Sequence, residues 1–146
     1  MPIWTQTITL EKMTESARDT AAANLGIEFI EIGDDFIRGR MPVDARTVQP
    51  HGILHGGASV LLAETLGSVA ANFCLREENR VAVGLEINAN HLRPVRSGWV
   101  FGETRPLHLG RTTQVWEIRI ADERDRLVCI SRLTIAVVGS GVKNID

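Results

Sequence analysis

A single carboxylate, Glu64, lies in the middle of a long segment that has no other charged side chain. The segment runs from Gly56 to Leu75 and consists mainly of alanine, leucine, glycine and other small or apolar residues. A carboxylate among such neighbours loses hydration, and carboxylates in that situation concentrate at reactive sites. We therefore interpret Glu64 as a reactive acid and not as a solvated helix residue that happens to lack charged neighbours.

Two glycines at the start of the same segment could stabilise negative charge on an oxygen atom. The first N–H groups of a helix have no internal partner and carry the positive end of the helix dipole, and glycine lets a ligand approach the backbone. Glu64 follows two turns later, with Ser68 one further turn along on the same face. This spacing predicts that an acyl carbonyl held at Gly56 or Gly57 meets the carboxylate a few ångströms further along the helix.

The periodicity of this segment predicts a helix that is covered on two faces. One stripe is an ordinary core face, formed by Leu62, Leu66, Val69, Ala70 and Phe73. The face that carries Glu64 is also small or apolar, with Gly57, Leu61, Gly67, Ser68, Ala71 and Leu75. We expect a subunit interface to cover the second face, because the segment is too polar to cross a membrane.

Short β-type runs separated by turn residues flank the helical segment. They span residues 27–32, 36–41, 81–92, 99–107, a stretch around 116–120, and 127–138. Because the connections are short, we expect antiparallel neighbours in chain order, packed on the one long helix. The predicted fold class is α+β, with six strands and one main helix.

Two local patterns refine this prediction. Thr9 is a candidate cap for an N-terminal helix that ends near Gly26, a residue suited to a left-handed exit. The strand from 81 to 92 alternates, which predicts one apolar face with Val81, Val83, Leu85, Ile87, Ala89 and His91.

Length and composition indicate one globular domain. The chain has 146 residues and a net charge of −2, without the basic block that binds nucleic acid. We expect a domain over residues 1–138, a polar tail over 139–146, a cytoplasmic location and no membrane partner. Cys74 and Cys129 have no metal or redox spacing and are interpreted as reduced core residues.

Residues 49–59, Gln-Pro-His-Gly-Ile-Leu-His-Gly-Gly-Ala-Ser, followed by Glu64 on the helix, resemble the hotdog-fold acyl-CoA thioesterases that use a helix glutamate. Further motifs are similar to the branch of that family that hydrolyses 1,4-dihydroxy-2-naphthoyl-CoA in menaquinone synthesis; they lie at residues 32–35, 41–44, 84–91, 106–110 and 131–134. The resemblance implies a sheet wrapped around a central helix and a homodimer whose active site lies at the interface, with dimers pairing into a homotetramer. It implies no cofactor.

The resemblance also implies roles for individual residues. Glu64 is the nucleophile or general base, the Gly56 amide polarises the carbonyl, and Gln49 and His55 complete the catalytic set. The substrate-binding positions are Gly57, Ser68, His91, Arg93 and Arg111. For His91 a core histidine remains the alternative, and for Arg93, Arg96 and Arg111, as ligands of the CoA phosphates, solvated strand-end charges are the alternative.

Other functions explain fewer of these residues. A hotdog dehydratase acting on hydroxyacyl thioesters normally has a His-Phe-Pro-Gly element, which this sequence lacks. A non-catalytic acyl-CoA binding module would not need Glu64. A metal at His51 and His55 is disfavoured because catalytic zinc takes three protein ligands. For the acyl group, hydroxybenzoyl and medium-chain acyl remain open beside dihydroxynaphthoyl.

Overall fold

The computed structural model describes residues 1–140, which form three helices and one six-stranded antiparallel sheet. In chain order the elements are α1 (Leu10–Ser16), α2 (Ala21–Asn24), β1 (Glu28–Ile32), β2 (Ile37–Pro42), α3 (Gly56–Phe73), β3 (Arg80–His91), β4 (Trp99–Leu109), β5 (Thr113–Ala121) and β6 (Leu127–Gly139). The sheet contacts α3 through β2, β3, β4, β5 and β6. The predicted α+β class and the hotdog architecture are therefore confirmed, with each strand within a few residues of its predicted position.

The strand order corrects one expectation. The sheet runs β1-β2-β4-β5-β6-β3, so β3 does not pair with the strand that follows it in the chain. The long segment between β2 and β3 contains α3 and carries the chain across to the far edge, where β3 pairs with β6. As a result, β3 is a 12-residue edge strand, and one side of its backbone has no partner within residues 1–140.

The helix α3 packs very closely on the middle of the sheet. Gly39 of β2 and Gly102 of β4 are directly paired, and both lie under the fully buried Leu66. A Cβ atom at Gly39 would lie 2.8 Å from Leu66 Cδ2, and one at Gly102 would lie 2.7 Å from Leu66 Cδ1. The absence of side chains at this pair lets the helix approach the sheet, and the predicted core stripe is confirmed at Leu62, Leu66 and Ala70.

The sheet also covers part of the helix face that was predicted to form an interface. Gly67 and Ala71 are buried against the sheet, and a Cβ at Gly67 would lie 2.6 Å from Leu133 Cδ2. The Gln114 side chain donates a hydrogen bond to the Ala71 carbonyl at 3.4 Å. The expectation for these two positions was wrong because five strands contact α3 and cover a wider sector of the helix than one amphipathic stripe indicates.

A β-bulge in β3 corrects the predicted alternation of that strand. The register with β6 shifts between Gly84 and Glu86, which leaves Leu85 without a paired residue. Before the bulge Ala82 and Gly84 face the helix, whereas after it the odd-numbered residues from Ile87 to His91 do. The apolar residues Val83 and Leu85, predicted on the inner face, are 44% and 66% exposed.

The N-terminal region forms two short helices where one was predicted. The Thr9 hydroxyl accepts a hydrogen bond from the Lys12 N–H at 3.1 Å, and Gly26 has a φ of 73°, so the predicted cap and left-handed exit are confirmed. Between α1 and α2 the helix is interrupted by Asp19, whose φ is 58°, and Thr20, whose backbone is extended. Aspartate tolerates this left-handed conformation better than most residues.

The remaining expectations concern the cysteines, membranes and the C-terminal tail. Cys74 and Cys129 are buried free thiols, and burial raises the pKa of Cys74 to about 12. In the part of the chain that the structure describes, no helix is both long enough and apolar enough to span a membrane. Gly139 is still a strand residue and the Ser140 N–H donates to the Asn79 carbonyl at 2.7 Å; the rest of the predicted tail lies outside the described residues.

We expect the variant Leu66→Ala to lower the free energy of unfolding by about 2–5 kcal/mol, because it leaves a cavity that the two underlying glycines cannot fill. Chemical denaturation followed by circular dichroism measures the loss. The control is Leu107→Ala, whose leucine is 51% exposed; it should change the free energy by no more than about 0.5 kcal/mol. Equal effects of the two variants would contradict the close packing of α3.

Candidate active site

The start of α3 forms one half of the candidate site. His55 is the N-cap residue, and its Nδ1 accepts a hydrogen bond from the Gly57 N–H at 2.8 Å. An imidazole that accepts through Nδ1 carries its proton on Nε2, so the exposed edge of His55 is a hydrogen-bond donor. Because the Gly57 N–H is already used in this cap, Gly57 is a poorer candidate for an oxyanion donor than Gly56.

The backbone N–H of Gly56 has no acceptor among residues 1–140. It is the first residue of an 18-residue helix, whose N-terminal end favours negative charge. The imidazole of His91, from the end of β3, packs directly on this glycine: a Cβ at Gly56 would lie 2.8 Å from His91 Nε2. The structure therefore brings together His55, Gly56 and His91, three residues for which the resemblance implied site roles.

Gln49 lies in the loop that leads into α3. An isolated β-bridge between Val48 and Leu54 closes this loop, and Gly52 turns it with a φ of 76°. The Gln49 side-chain carbonyl accepts a short hydrogen bond from the His51 N–H, which leaves the amide NH2 group of Gln49 without a partner among the described residues. A half-buried amide donor thus lies in the loop that precedes α3.

Glu64 forms the other half of the candidate site. Its side chain is half-buried and makes no hydrogen bond or ion pair with any residue from 1 to 140. Its Oε1 lies against the backbone of Gly84, so closely that a Cβ atom at Gly84 would overlap it. Gly84 was not singled out from the sequence, although a glycine that interrupts a β-branched run is a signal of close approach by another group.

A groove of about 370 Å³ opens beside Glu64 between α3 and the N-terminal helices. From α3 it is lined by Leu61, Glu64, Thr65, Ser68 and Val69, so Ser68 shares a cavity with Glu64 as predicted. The opposite wall comes from the connection between α1 and α2 and from β1, with Ser16, Ala17, Thr20, Ala21, Ala22 and Phe29. The sequence gave no signal for this wall, because only the packing of α1 and α2 places it there.

The two halves do not meet within one chain. Gly56 and Glu64 are eight residues apart on α3, which corresponds to about 12 Å along the helix axis. The carboxylate lies at Gly84, whereas Gly56 lies at His91, and these positions are about 20 Å apart along β3. The expected separation of a few ångströms is therefore wrong, since one carbonyl cannot contact both groups of the same chain.

The arginines predicted to bind CoA lie at two different places. Arg93 is exposed and follows His91 by two residues, and Arg96 is exposed in the same loop. Arg111 lies at the opposite end of α3 from Gly56. It pairs with Glu77 at 3.5 Å and, with Arg76 and Arg80, lines a separate cavity of about 320 Å³. Arg111 and the helix start therefore do not come together in one chain.

The histidines outside this cluster offer no metal site. Within residues 1–140 no group of three or more His, Cys, Asp or Glu side chains is placed to hold a metal ion. His51 and His108 are exposed, and His55 uses its Nδ1 in the helix cap.

Known proteins with similar sequences and structures identify the family of this chain. The sequence profile of the thioesterase superfamily matches residues 51–129. The chain is 54% identical over 136 residues to 1,4-dihydroxy-2-naphthoyl-CoA hydrolase of Escherichia coli, covering 93% of this chain and 99% of the relative. It is 51% identical over 136 residues to the proofreading thioesterase EntH of Klebsiella pneumoniae, covering 93% and 98%. A solved thioesterase from Haemophilus influenzae has a TM-score of 0.92 at 51% identity, covering 97% and 99%.

The profile match includes all of α3 and β3, and hence Gly56, Glu64, Gly84 and His91, but not Gln49 or the groove wall from the N-terminal helices. The relatives match over nearly the full length of both chains, well beyond what a shared fold alone would require. The chain therefore belongs to the thioesterase superfamily and is a thioester hydrolase with the hotdog fold.

Proposed function

We propose that this protein hydrolyses an aromatic acyl-CoA, 1,4-dihydroxy-2-naphthoyl-CoA, in a site shared by two copies of the chain. Glu64 of one copy attacks the thioester or activates water, and the Gly56 N–H of the partner subunit stabilises the oxyanion. The observation that carries the proposal concerns two groups that have no hydrogen-bond partner among residues 1–140. The Glu64 carboxylate and the Gly56 N–H lie at two separate positions of one edge strand.

Self-pairing of β3 brings these two groups together. A long unpaired edge strand readily adds another strand, and two copies of β3 can pair as antiparallel neighbours. With a two-fold axis at Asn88 and Leu85 bulged out, Gly84 lies opposite His91 of the partner subunit. Both positions face the helix side of the sheet. Glu64 at Gly84 then faces Gly56 of the partner subunit, and the arrangement occurs twice in each dimer.

The chemistry needs only an oriented oxygen nucleophile and a place for negative charge, because a thioester is already activated. In the general-base route, the Glu64 carboxylate takes a proton from water while the water oxygen bonds to the carbonyl carbon. The carbonyl electrons move onto oxygen and are stabilised by the Gly56 N–H. The tetrahedral intermediate then breaks its C–S bond and expels the CoA thiolate, which takes the proton from Glu64. In the covalent route, the carboxylate attacks the carbonyl carbon and displaces the CoA thiolate to give an anhydride; water then hydrolyses the anhydride to the free acid, which regenerates the Glu64 carboxylate and protonates the thiolate.

Other residues at or near the start of α3 support the stabilisation of the oxyanion. The Nε2–H of His55 is a further donor at the start of α3, and the Gln49 amide, which has no partner among residues 1–140, is a donor in the loop that precedes it. Each is a neutral donor, so neither demands a counter-charge when the site closes around the substrate. His91 packs on Gly56 and fixes the width of the cleft there.

The groove beside Glu64 suits an aromatic acyl group that carries hydroxyl substituents. Its apolar surface comes from alanines, Phe29, Leu61 and Val69, and its polar atoms are mainly hydroxyls of serine and threonine. Its volume of about 370 Å³ falls within the range of small-molecule pockets. The hydrolase of Escherichia coli, at 54% identity, is named for such a substrate. Of the three arginines predicted to contact CoA, Arg93 and Arg96 lie in the loop that follows His91, whereas Arg111 lies at the other end of α3.

Removing the Gly56 N–H should lower kcat for thioester hydrolysis about 10²–10³-fold, as the loss of one oxyanion donor does elsewhere. Gly56→Pro does this with little effect on the helix, since proline is favoured at the first helical position and His55 has a compatible ψ of 129°. Gly56→Ala is the matched control: it adds a similar Cβ beside His91 but keeps the N–H. Equal rates for the two variants, measured by CoA release, would exclude Gly56 as the donor.

Glu64→Gln should abolish measurable turnover, because an amide can neither attack nor accept the proton, while the fold and the thermal midpoint persist. Mixing this inactive protein with Gly56→Pro protein under conditions that exchange subunits tests the shared site. In a mixed dimer one site carries both substitutions and the other carries neither. We expect recovery to about a quarter of the native activity for random pairing of equal amounts. Full turnover by Glu64→Gln would reject the mechanism, and absence of recovery would reject the shared site.

A panel of CoA thioesters tests the acyl group. We expect kcat/KM to be highest for hydroxylated bicyclic aroyl groups, lower for hydroxybenzoyl and lowest for medium-chain acyl groups, because the groove combines a broad apolar surface with several hydroxyls. Val60→Ala, a change on α3 outside the groove, is the control that should leave this order unchanged. A flat profile, or a preference for aliphatic chains, would contradict the proposed substrate.

A further inference from the structure

We propose that Gly84 is a positioning residue for the catalytic carboxylate: the lack of a side chain at this point of β3 creates the seat in which Glu64 is held. This inference rests on the proposed function of Glu64. It concerns a residue that makes no contact of its own with the substrate and acts only through the position of Glu64.

The contact at Gly84 is unusually close. An ideal Cβ built there would overlap Glu64 Oε1 and would lie 3.5 Å from Glu64 Cδ. The next nearest atom among the described residues is Leu133 Cδ1, at an ordinary contact distance of 3.9 Å. Among residues 1–140 the carboxylate of Glu64 is therefore the one group that prevents a side chain at this position.

The usual reasons for a glycine do not apply here. Gly84 does not have a positive φ, in contrast to Gly26, Gly52 and Gly98, so its backbone conformation suits any residue. It is regularly paired with Ile135, next to the bulge but not as its left-handed residue. A glycine inside a strand lowers stability because it adds backbone entropy and packs nothing. A compensating advantage is expected, and the seat for the carboxylate supplies it.

The seat also explains how a carboxylate without a hydrogen-bond partner is kept in one place. One side of Glu64 Oε1 rests on the strand backbone, while the groove opens beside the side chain. A methyl group at residue 84 would push the carboxylate away from the free edge of β3, where the partner subunit is proposed to bind. A displacement of about 1 Å in a reacting group can lower the rate about 10²-fold.

The primary test is Gly84→Ala, with Gly139→Ala as the matched control. Gly139 is also a strand glycine without a positive φ, and a Cβ there meets no atom within 4 Å among the described residues. We expect Gly84→Ala to lower kcat about 10²-fold with KM nearly unchanged, because the groove and the CoA contacts are intact. Its thermal midpoint should equal or exceed that of the native protein, since alanine is better suited to a strand than glycine.

Replacing Glu64 by the shorter aspartate distinguishes a positioning role of Gly84 from a general disturbance of the fold. In the native background, Glu64→Asp retracts the carboxylate and lowers kcat. In the Gly84→Ala background the shorter acid no longer meets the methyl group. The loss of kcat caused by Glu64→Asp should therefore be at least about tenfold smaller in that background than in the native protein. If the kcat loss of the double variant equals the product of the losses of the two single variants, Gly84 does not act through Glu64 and the inference is overturned.

The outcomes for the two proposals are distinct. If Glu64→Gln retains turnover, the proposed mechanism itself fails. If Glu64→Gln is inactive while Gly84→Ala is as active as Gly139→Ala, only the positioning role of Gly84 fails. If Gly84→Ala lowers the thermal midpoint and the added Glu64→Asp change does not reduce the loss of kcat, the glycine is needed for the packing of the strand and not for the position of Glu64.

Discussion

The close packing of α3 on a curved sheet is the constraint from which the rest of the structure follows. Leu66 reaches the backbone of two paired strands because both residues beneath it, Gly39 and Gly102, lack side chains. Gly67 repeats this arrangement from the helix side against Leu133. Because α3 approaches the sheet so closely, five strands contact it. The face that carries Glu64 lies beside the edge strand β3 and the N-terminal helices.

The bulge in β3 links this packing to the chemistry. Gly84 and His91 are seven residues apart, and in a regular strand an odd separation places two residues on opposite faces. The unpaired Leu85 shifts the alternation by one, so both positions face α3. One then receives the Glu64 carboxylate and the other packs against the Gly56 backbone. A one-residue irregularity in the ladder thus makes a symmetric, shared site geometrically possible.

The electrostatic surroundings of Glu64 differ from those of the other partly buried acids. Burial opposes ionisation of Glu103, yet hydrogen bonds from Arg105 and Arg38 hold the pKa of its carboxyl below the usual value. Arg38 and Arg105 in turn bind Glu31 and Asp35, in a network on the outer face of the sheet. Glu64 has no such partner within residues 1–140. The proposed mechanism needs a carboxylate without a neighbouring cation, whereas the acids of the outer face are paired with arginines.

The sequence by itself determined the elements and the chemical inventory of this protein. Hydrophobic periodicity and turn residues located six strands and the long helix, because these signals are local. An acid isolated among small residues pointed to Glu64, and the glycines beside His55 pointed to the helix start. Only the tertiary structure decided how these groups are arranged. The placement of β3 at the far edge, its bulge, the break between α1 and α2 and the seat at Gly84 all depend on contacts between residues distant in the chain. The eight-residue spacing on the helix already separates Gly56 from Glu64 by about 12 Å, but no local pattern encodes that His91 and Gly84 of one edge strand receive them at two separate positions.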